Sequence, residues 1–358
     1  MSRCRWQPYS VCRRFEARDH LNHVPLLDGH DPLAIAACAD ALASGELVAF
    51  PTETVYGLGA RADDDRAVAR IFQAKGRPAD HPLIVHLAGV ALASRFCDDW
   101  PALAQRLTAA FWPGPLTVIV PRAAGVAYAS TGGQPTVGLR CPDHPVALAL
   151  LRAAAARGVP GIAAPSANRF GRLSPTCAAH VVAELGDEPG LRVLDGGDCP
   201  VGIESTIIDC SRTHPVLLRP GTLTRRAIEA VLGEPLLARD AAAPRAPGTL
   251  DTHYAPRARV RLLGHDQLQA ELEQFAAAHS GEMPATPPTL AVYSRQPLPA
   301  QAAAIHQTMP PGAAAVAHEL FSVLRSFDDR GAQQIWVELP PADAEWDGVR
   351  DRLARAAA

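Results

Sequence analysis

The chain has 358 residues, 48% of them hydrophobic and 20% charged, and a formal net charge of -3. That length favours about two domains, and the balance of apolar and charged residues is that of a soluble globular protein, not of a disordered tail or a membrane-embedded chain. The slightly acidic charge supplies no overall basic field, so any nucleotide or RNA has to meet a local site.

The first 28 residues carry arginines but little periodicity and no unbroken apolar stretch, and read as a loose N-terminal extension (1–28). ELVAF (Glu46 to Phe50) is rich in strand formers and stops at Pro51; DDDRAVARIFQAKG then opens on acids, spaces its apolar residues helically and closes on Gly76. PLIVHLA, PLTVIVP, TVGLRC, STIIDC and PVLLR read as further strands. PALAQRLTAAFW, HPVALALLRAAAARG and CAAHVVAELG read as helices. This alternation predicts an α/β domain over 29–235. Small residues, prolines and arginines without an apolar period fill 236–256, which reads as an ordered linker. From 257 to 358 three strands (RVRLL, TLAVYS and IWVEL) alternate with helices near Gln267 to Ala278, near Ala314 to Phe327 and at the end, which predicts a small parallel, Rossmann-like α/β domain.

Eight cysteines (Cys4, Cys12, Cys38, Cys97, Cys141, Cys177, Cys199 and Cys210) form no CxxC pair, which argues against a zinc finger or a secreted disulfide framework. No run of eighteen apolar residues occurs, so no membrane contact is expected and the cytoplasm is the default compartment. The sequence also lacks a GxxxxGK[ST] loop, a GxGxxG turn, an HExxH helix and a GxSxG elbow.

What remains are polar groups at predicted strand and helix ends. Thr52, Glu53 and Thr54 follow a strand and precede Gly57 and Gly59. Lys75 and Arg77 flank a helix end, and Ser166 and Asn168 follow a strand. His86 lies in an apolar strand, while Arg140 and Arg219 end strands. Singly, each has an ordinary structural explanation: turn chemistry, a dipole partner, an Asx turn, a core histidine or a solvated flank. Together they sit where α/β sheets form ligand crevices, at the carboxyl ends of strands.

The ordered set PTETVYGLGA, KGRPADHPLIVH, WPGPLT, TVGLRCP, APSAN, SPT, GIESTIID and LRPG resembles the YrdC-like threonylcarbamoyl-AMP synthase family from about Leu42 to Gly233. APGTLDTHYAP and the α/β segment after it resemble the longer, two-domain form. The resemblance implies a YrdC-like twisted mixed sheet followed by the Rossmann-like domain. It also implies an enzyme that joins L-threonine, bicarbonate or CO2, and ATP into threonylcarbamoyl-AMP and pyrophosphate for tRNA modification. By motif match, Lys75 and Arg77 are the catalytic cations. Thr54, His86, Arg140, Ala164 and Ser205 form the L-threonine pocket, with Arg140 as a bidentate carboxylate clamp. Arg77, His81, Thr136, Ser166, Asn168, Ser174, Arg219 and Tyr254 lie on the ATP side, and Mg2+ is expected to accompany ATP. His253 and Tyr254 mark the linker as a lid across the pocket. One departure is Ala246-Pro247-Gly248 where the family often has Ser-Pro-Gly, which removes a hydroxyl. The product would pass to the tRNA threonylcarbamoyl transferase complex, and a direct tRNA contact is left open. Two other readings compete: an RNA-binding YrdC-like module without catalysis, disfavoured by the acidic charge, and a carbamoyl-adenylate-forming domain of the hydrogenase-maturation type, whose acylphosphatase-like and zinc-finger segments are missing here.

Overall fold

The computed structural model describes residues 24–249, 253–278, 290–296 and 304–358. Most of the N-terminal extension, with Cys4 and Cys12, and part of the linker lie outside the described residues. In chain order the first unit comprises β1 (Leu26–Asp28), α1 (Pro32–Ala43), β2 (Val48–Phe50), β3 (Gly57–Arg61), α2 (Asp65–Lys75), β4 (Ile84–His86), α3 (Ala102–Phe111), β5 (Leu116–Pro121) and β6 (Thr136–Arg140). It continues with α4 (Pro145–Ala155), β7 (Ile162–Ala163), α5 (Ala178–Leu185), β8 (Arg192–Asp195), β9 (Thr206–Asp209), β10 (Val216–Arg219) and α6 (Arg225–Leu232). The second unit comprises β11 (Arg259–Leu263), α7 (His265–Ala278), β12 (Leu290–Ser294), β13 (Ala304–Thr308), α8 (Ala313–Asp329), β14 (Gln334–Glu338) and α9 (Asp347–Ala356).

The first unit is one mixed sheet in the order β1-β8-β2-β3-β7-β4-β6-β5-β9-β10. Strand alternation gives it two cores. Leu47 and Ala49 face a layer that includes Val68 and Ile71 of α2, Leu103 and Leu107 of α3, and Val181 of α5. Val48 and Phe50 face the opposite layer, built from Ala34 and Leu42 of α1 and Val146 and Leu150 of α4. Local signals fix the helix that leads into the site: the Asp64 carboxylate caps α2 by accepting from the backbone amides of Arg66 at 2.9 Å and Ala67 at 3.4 Å. Gly76 ends it in the left-handed conformation, φ 61°.

Two expectations need correction. Strand β1 pairs in parallel with β8, so the sheet begins inside the stretch read as extension, ahead of residue 29. The C-terminal sheet has four parallel strands in the order β11-β14-β12-β13, one more than the pattern gave. The missed strand, β13, reads AIHQT, too polar to stand out as a buried parallel strand. Helices α8 and α9 turn Leu320, Phe321, Val349 and Leu353 toward Val55, Leu173, Ile203 and Tyr254 of the first unit and the linker, so one apolar cluster spans the boundary. Helix α7 covers the other face with Leu268 and Leu272 against Leu290, Val292 and Trp336.

Candidate functional site

The loop after β2, the carboxyl ends of β4 and β6, and the segment after β7 converge on one cavity of about 50 Å³. Thr54, Gly57, Arg77, His86, Arg140, Ala164, Ser166, Glu204, Arg219, Gly248, His253 and Tyr254 are among its lining residues. Parallel pairing of β4 with β6 puts His86 directly opposite Arg140, which is why two distant strand ends deliver their side chains to the same place. Thr52 and Thr54 share a buried hydroxyl contact of 2.8 Å, and Thr52 also donates to the Val55 carbonyl at 2.7 Å, fixing the turn that presents Thr54.

The electrostatics are those of an anion site. Arg140 pairs with Glu53 at 2.6 Å, with side chains only 4% and 5% exposed. Its Nε nevertheless makes no protein hydrogen bond, nor do the buried Nδ1 of His86 and Nε of Arg77. Burial, together with the Arg140 charge, pushes the His86 imidazole down to about 3, so it is neutral at physiological pH. Burial lowers Arg77 to about 10, still well above physiological pH, so its charge is retained. Arg77 donates to the Pro82 carbonyl at 3.0 Å and lies 5.7 Å from the Phe170 ring centre. Arg219 is held by the Ser205 carbonyl at 2.9 and 3.1 Å and the Ser205 hydroxyl at 3.1 Å, and donates to the Pro247 carbonyl of the linker at 3.0 Å.

The linker roofs this cavity. Gly248 has φ +71°, and a Cβ there would lie 2.2 Å from the Tyr254 hydroxyl oxygen and 2.9 Å from Arg219 Nη1, so only glycine fits beneath the tyrosine. Tyr254 itself is left-handed at φ 60° and stacks on Phe321 of α8 at 5.5 Å. That unfavourable backbone is held by the second unit. Ala246, lacking the hydroxyl, packs in an apolar cluster with Ile84, Ile119, Ile207, Val216 and Leu218. On the other side of the Gly248 and His253 wall is a second cavity of about 100 Å³, sharing Arg77 and lined by His81, Phe170, Arg239 and Arg245.

Of the residues singled out in the sequence, Thr52, Thr54, Gly57, Arg77, His86, Arg140, Ala164, Ser166, Arg219 and Tyr254 line the first cavity, His81 the second, and His253 both. The others stand behind the wall. Lys75 is buried with its ammonium turned onto the carbonyls of Ser166, at 2.6 Å, and of Asn168, so it braces the SAN loop instead of facing the cavity. Burial and the neighbouring Arg77 push its pKa well below the usual lysine value. Asn168 donates to the Arg169 and Arg172 carbonyls at 2.7 and 2.9 Å. Ser174 bonds Glu204 at 2.5 Å, and Ser205 bonds Thr117 at 2.8 Å. Thr136 lines a separate cavity of about 10 Å³ beyond Ile84. Sequence reasoning assigned no role to Glu53 or Glu204. Both stand inside quoted motifs, PTET and GIEST, where an acid beside hydroxyl residues is the one available signal.

A profile described as "Telomere recombination" matches residues 40–221, and one described as "Threonylcarbamoyl-AMP synthase, C-terminal domain" matches 223–358. The Bacillus subtilis protein named threonylcarbamoyl-AMP synthase is 39% identical over 340 residues, 92% of this chain and 94% of its own. The chain belongs to the threonylcarbamoyl-AMP synthase family. A Pyrococcus abyssi member is 42% identical over 255 residues, 69% of this chain and 74% of its own. The crystal structure of P. abyssi Sua5 complexed with L-threonine superposes with a TM-score of 0.81 at 35% identity, covering 93% of this chain and 97% of that one. The α/β architecture of two units, the larger mixed and the smaller parallel, is thus that of the long form of the threonylcarbamoyl-AMP synthase family. Among the described residues no helix is long and apolar enough to cross a membrane.

Proposed function

We infer that the chain is an L-threonylcarbamoyladenylate synthase working in the first cavity. The observation that carries this reading is the convergence of Arg77, Arg140, Arg219 and neutral His86 on one enclosed space, where the buried Nε atoms of Arg140 and Arg77 and Nδ1 of His86 make no hydrogen bond within the protein and suit an anionic ligand. The Arg140 guanidinium suits the carboxylate of L-threonine, with Glu53 fixing its plane from behind. Neutral His86 and the Thr54 hydroxyl offer uncharged hydrogen bonds to the amino acid. The threonine amine takes up CO2 from bicarbonate as a carbamate; a carbamate oxygen then attacks the α-phosphorus of ATP and pyrophosphate leaves. L-threonine, bicarbonate and ATP thus balance threonylcarbamoyl-AMP, pyrophosphate and water. Arg77 and Arg219 neutralise the phosphates from the cavity wall, while Lys75 holds the SAN loop that carries Ser166 into place.

Cavities of about 50 and 100 Å³ are small against the roughly 300–1,000 Å³ of ordinary ligand sites. ATP entry therefore requires the linker carrying Gly248 and His253 to swing away, and its return excludes water from a hydrolysable anhydride. Glu204 is the one carboxylate among the cavity-lining residues, and Ser174 and Arg352 already occupy its oxygens. Among the described residues no group of His, Cys, Asp or Glu is spaced to hold a metal. The residues present do not fit a resident Mg2+, which belongs instead with the phosphates of incoming ATP. The adenylate would then pass to the tRNA threonylcarbamoyl transferase complex in the cytoplasm. The test is pyrophosphate release: it should require L-threonine, bicarbonate and ATP together, and release independent of L-threonine would overturn the reading.

A further inference from the structure

The last helix contributes a charged side chain to the interior of the other domain. Arg352, in α9, is fully buried although it belongs to the C-terminal unit. Its Nε donates to Glu204 Oε2 at 2.7 Å, its Nη2 to the Glu204 carbonyl at 3.2 Å and its Nη1 to the Pro220 carbonyl at 3.0 Å. The guanidinium carbon lies 5.2 Å from the Tyr254 ring centre, so the same group touches both a cavity carboxylate and the roof of the cavity. Asp351, beside it on α9, takes a second Nη1 hydrogen bond at 2.6 Å. Glu204 is otherwise an anomaly: a carboxylate in the wall of a cavity whose other ionic lining groups, Arg77, Arg140 and Arg219, are cations.

We propose that Arg352 is a positioning residue supplied by the C-terminal domain, which neutralises Glu204 and seats Tyr254 so that the cavity can accept a nucleoside triphosphate. The inference rests on reading this cavity as the nucleotide site. Without Arg352, Glu204 keeps the Ser174 hydrogen bond and the nearby Arg219 charge but loses its own ion-pair partner, and its carboxylate then opposes the incoming phosphates in a poorly solvated space, where like charges repel strongly. With Arg352 in place the carboxylate is tied on both oxygens, by Ser174 on one side and Arg352 on the other, and its charge is spent inside the wall. The nucleotide site is therefore electrostatically complete only when α9 is docked, which assigns the C-terminal domain a part in substrate binding through an ion pair spanning 148 positions of sequence.

The decisive feature is that removing the partner charge should repair the defect. Deleting one member of a buried ion pair is severe, whereas deleting both is often close to neutral. In full-length protein, Arg352→Met should raise the KM for ATP at least tenfold and leave the KM for L-threonine within about threefold of wild type. Glu204→Gln combined with Arg352→Met should bring the ATP KM back to within about threefold of Glu204→Gln alone. Arg352→Lys, which keeps the charge but not the three-way fork, should fall between wild type and Arg352→Met. If Arg352→Met is insoluble, the Lys variant and the double variant still decide. A double variant with an ATP KM as high as that of Arg352→Met, or a Lys variant indistinguishable from wild type, would overturn the proposal. So would equal losses for ATP and L-threonine at unchanged melting temperature. Failure of wild-type protein to release pyrophosphate in an L-threonine-dependent way would instead count against the reading of the site.

Discussion

Replacing Arg140 with alanine should damage this protein twice, and the two effects can be separated. Arg140 and Glu53 form a pair at 2.6 Å in which each side chain is about one-twentieth exposed, and neither Glu53 oxygen has any other hydrogen-bond partner. Arg140→Ala leaves that carboxylate stranded in a nearly dry site, a change that costs roughly 3–5 kcal/mol in buried pairs. At about 2 cal/mol/K of unfolding entropy per residue, the melting temperature of this 358-residue chain should fall by about 4–7 °C. Adding Glu53→Gln removes the stranded charge and should recover most of the loss. The repaired fold still lacks the carboxylate clamp: two charge-assisted hydrogen bonds of about 1.5–3 kcal/mol each predict a KM for L-threonine raised at least about a hundredfold. Thermal melts and pyrophosphate release of wild type, Arg140→Ala and the double variant measure both quantities. An Arg140→Ala protein melting within about 1 °C of wild type, well short of what the buried pair predicts, would refute the energetic argument. A double variant with normal use of L-threonine would refute the clamp.

Three further outcomes follow from the geometry. Gly248→Ala places a methyl against Tyr254 and forces a left-handed alanine, about 1–2 kcal/mol before the clash is counted. Pyrophosphate release should drop at least tenfold with the melting temperature nearly unchanged, and full activity would show that the linker need not close this way. His86 and His253 both have folded pKa values depressed to about 3 against 6.5, so the unfolded chain binds their protons first as pH falls. Stability should be complete above about pH 6.5 and decline toward pH 3, losing about 4 kcal/mol by pH 5; denaturant titrations showing no pH dependence in that window would contradict the burial of both rings. Thr54→Ala should narrow the preference for L-threonine over L-valine by about 1–3 kcal/mol, while Ser205→Ala, behind the cavity wall and bonded to Arg219, should raise the KM for ATP and leave that preference intact.

Much of the molecule was legible in local pattern. Helix α2 carries its own start and stop in Asp64 and Gly76, β5 is a mostly apolar run rich in β-branched residues, and the motifs around Thr54, Arg77, His86, Arg140 and Arg219 contain many of the residues that line the cavity. These features depend on neighbours within a few positions, where propensity, capping and turn chemistry act. Others depended on the assembled sheet. The GLGAR segment reads as a glycine turn yet forms β3, because a Cβ at Gly59 would stand 2.8 Å from both Ile162 and Phe50 and the glycine lets the strand close over them. Lys75 was read as a catalytic cation beside Arg77, but packing turns it inward onto two carbonyls that arrive 91 and 93 residues later. The pairing of Glu53 with Arg140 and of Glu204 with Arg352 likewise joins groups that are remote in sequence. Sequence determined which charges and hydroxyls the chain owns and the short elements that carry them. Only the tertiary structure decided which charges face the cavity and which are spent against each other, because burial and long-range contact set the energy of a charge, and neither is encoded in its immediate neighbours.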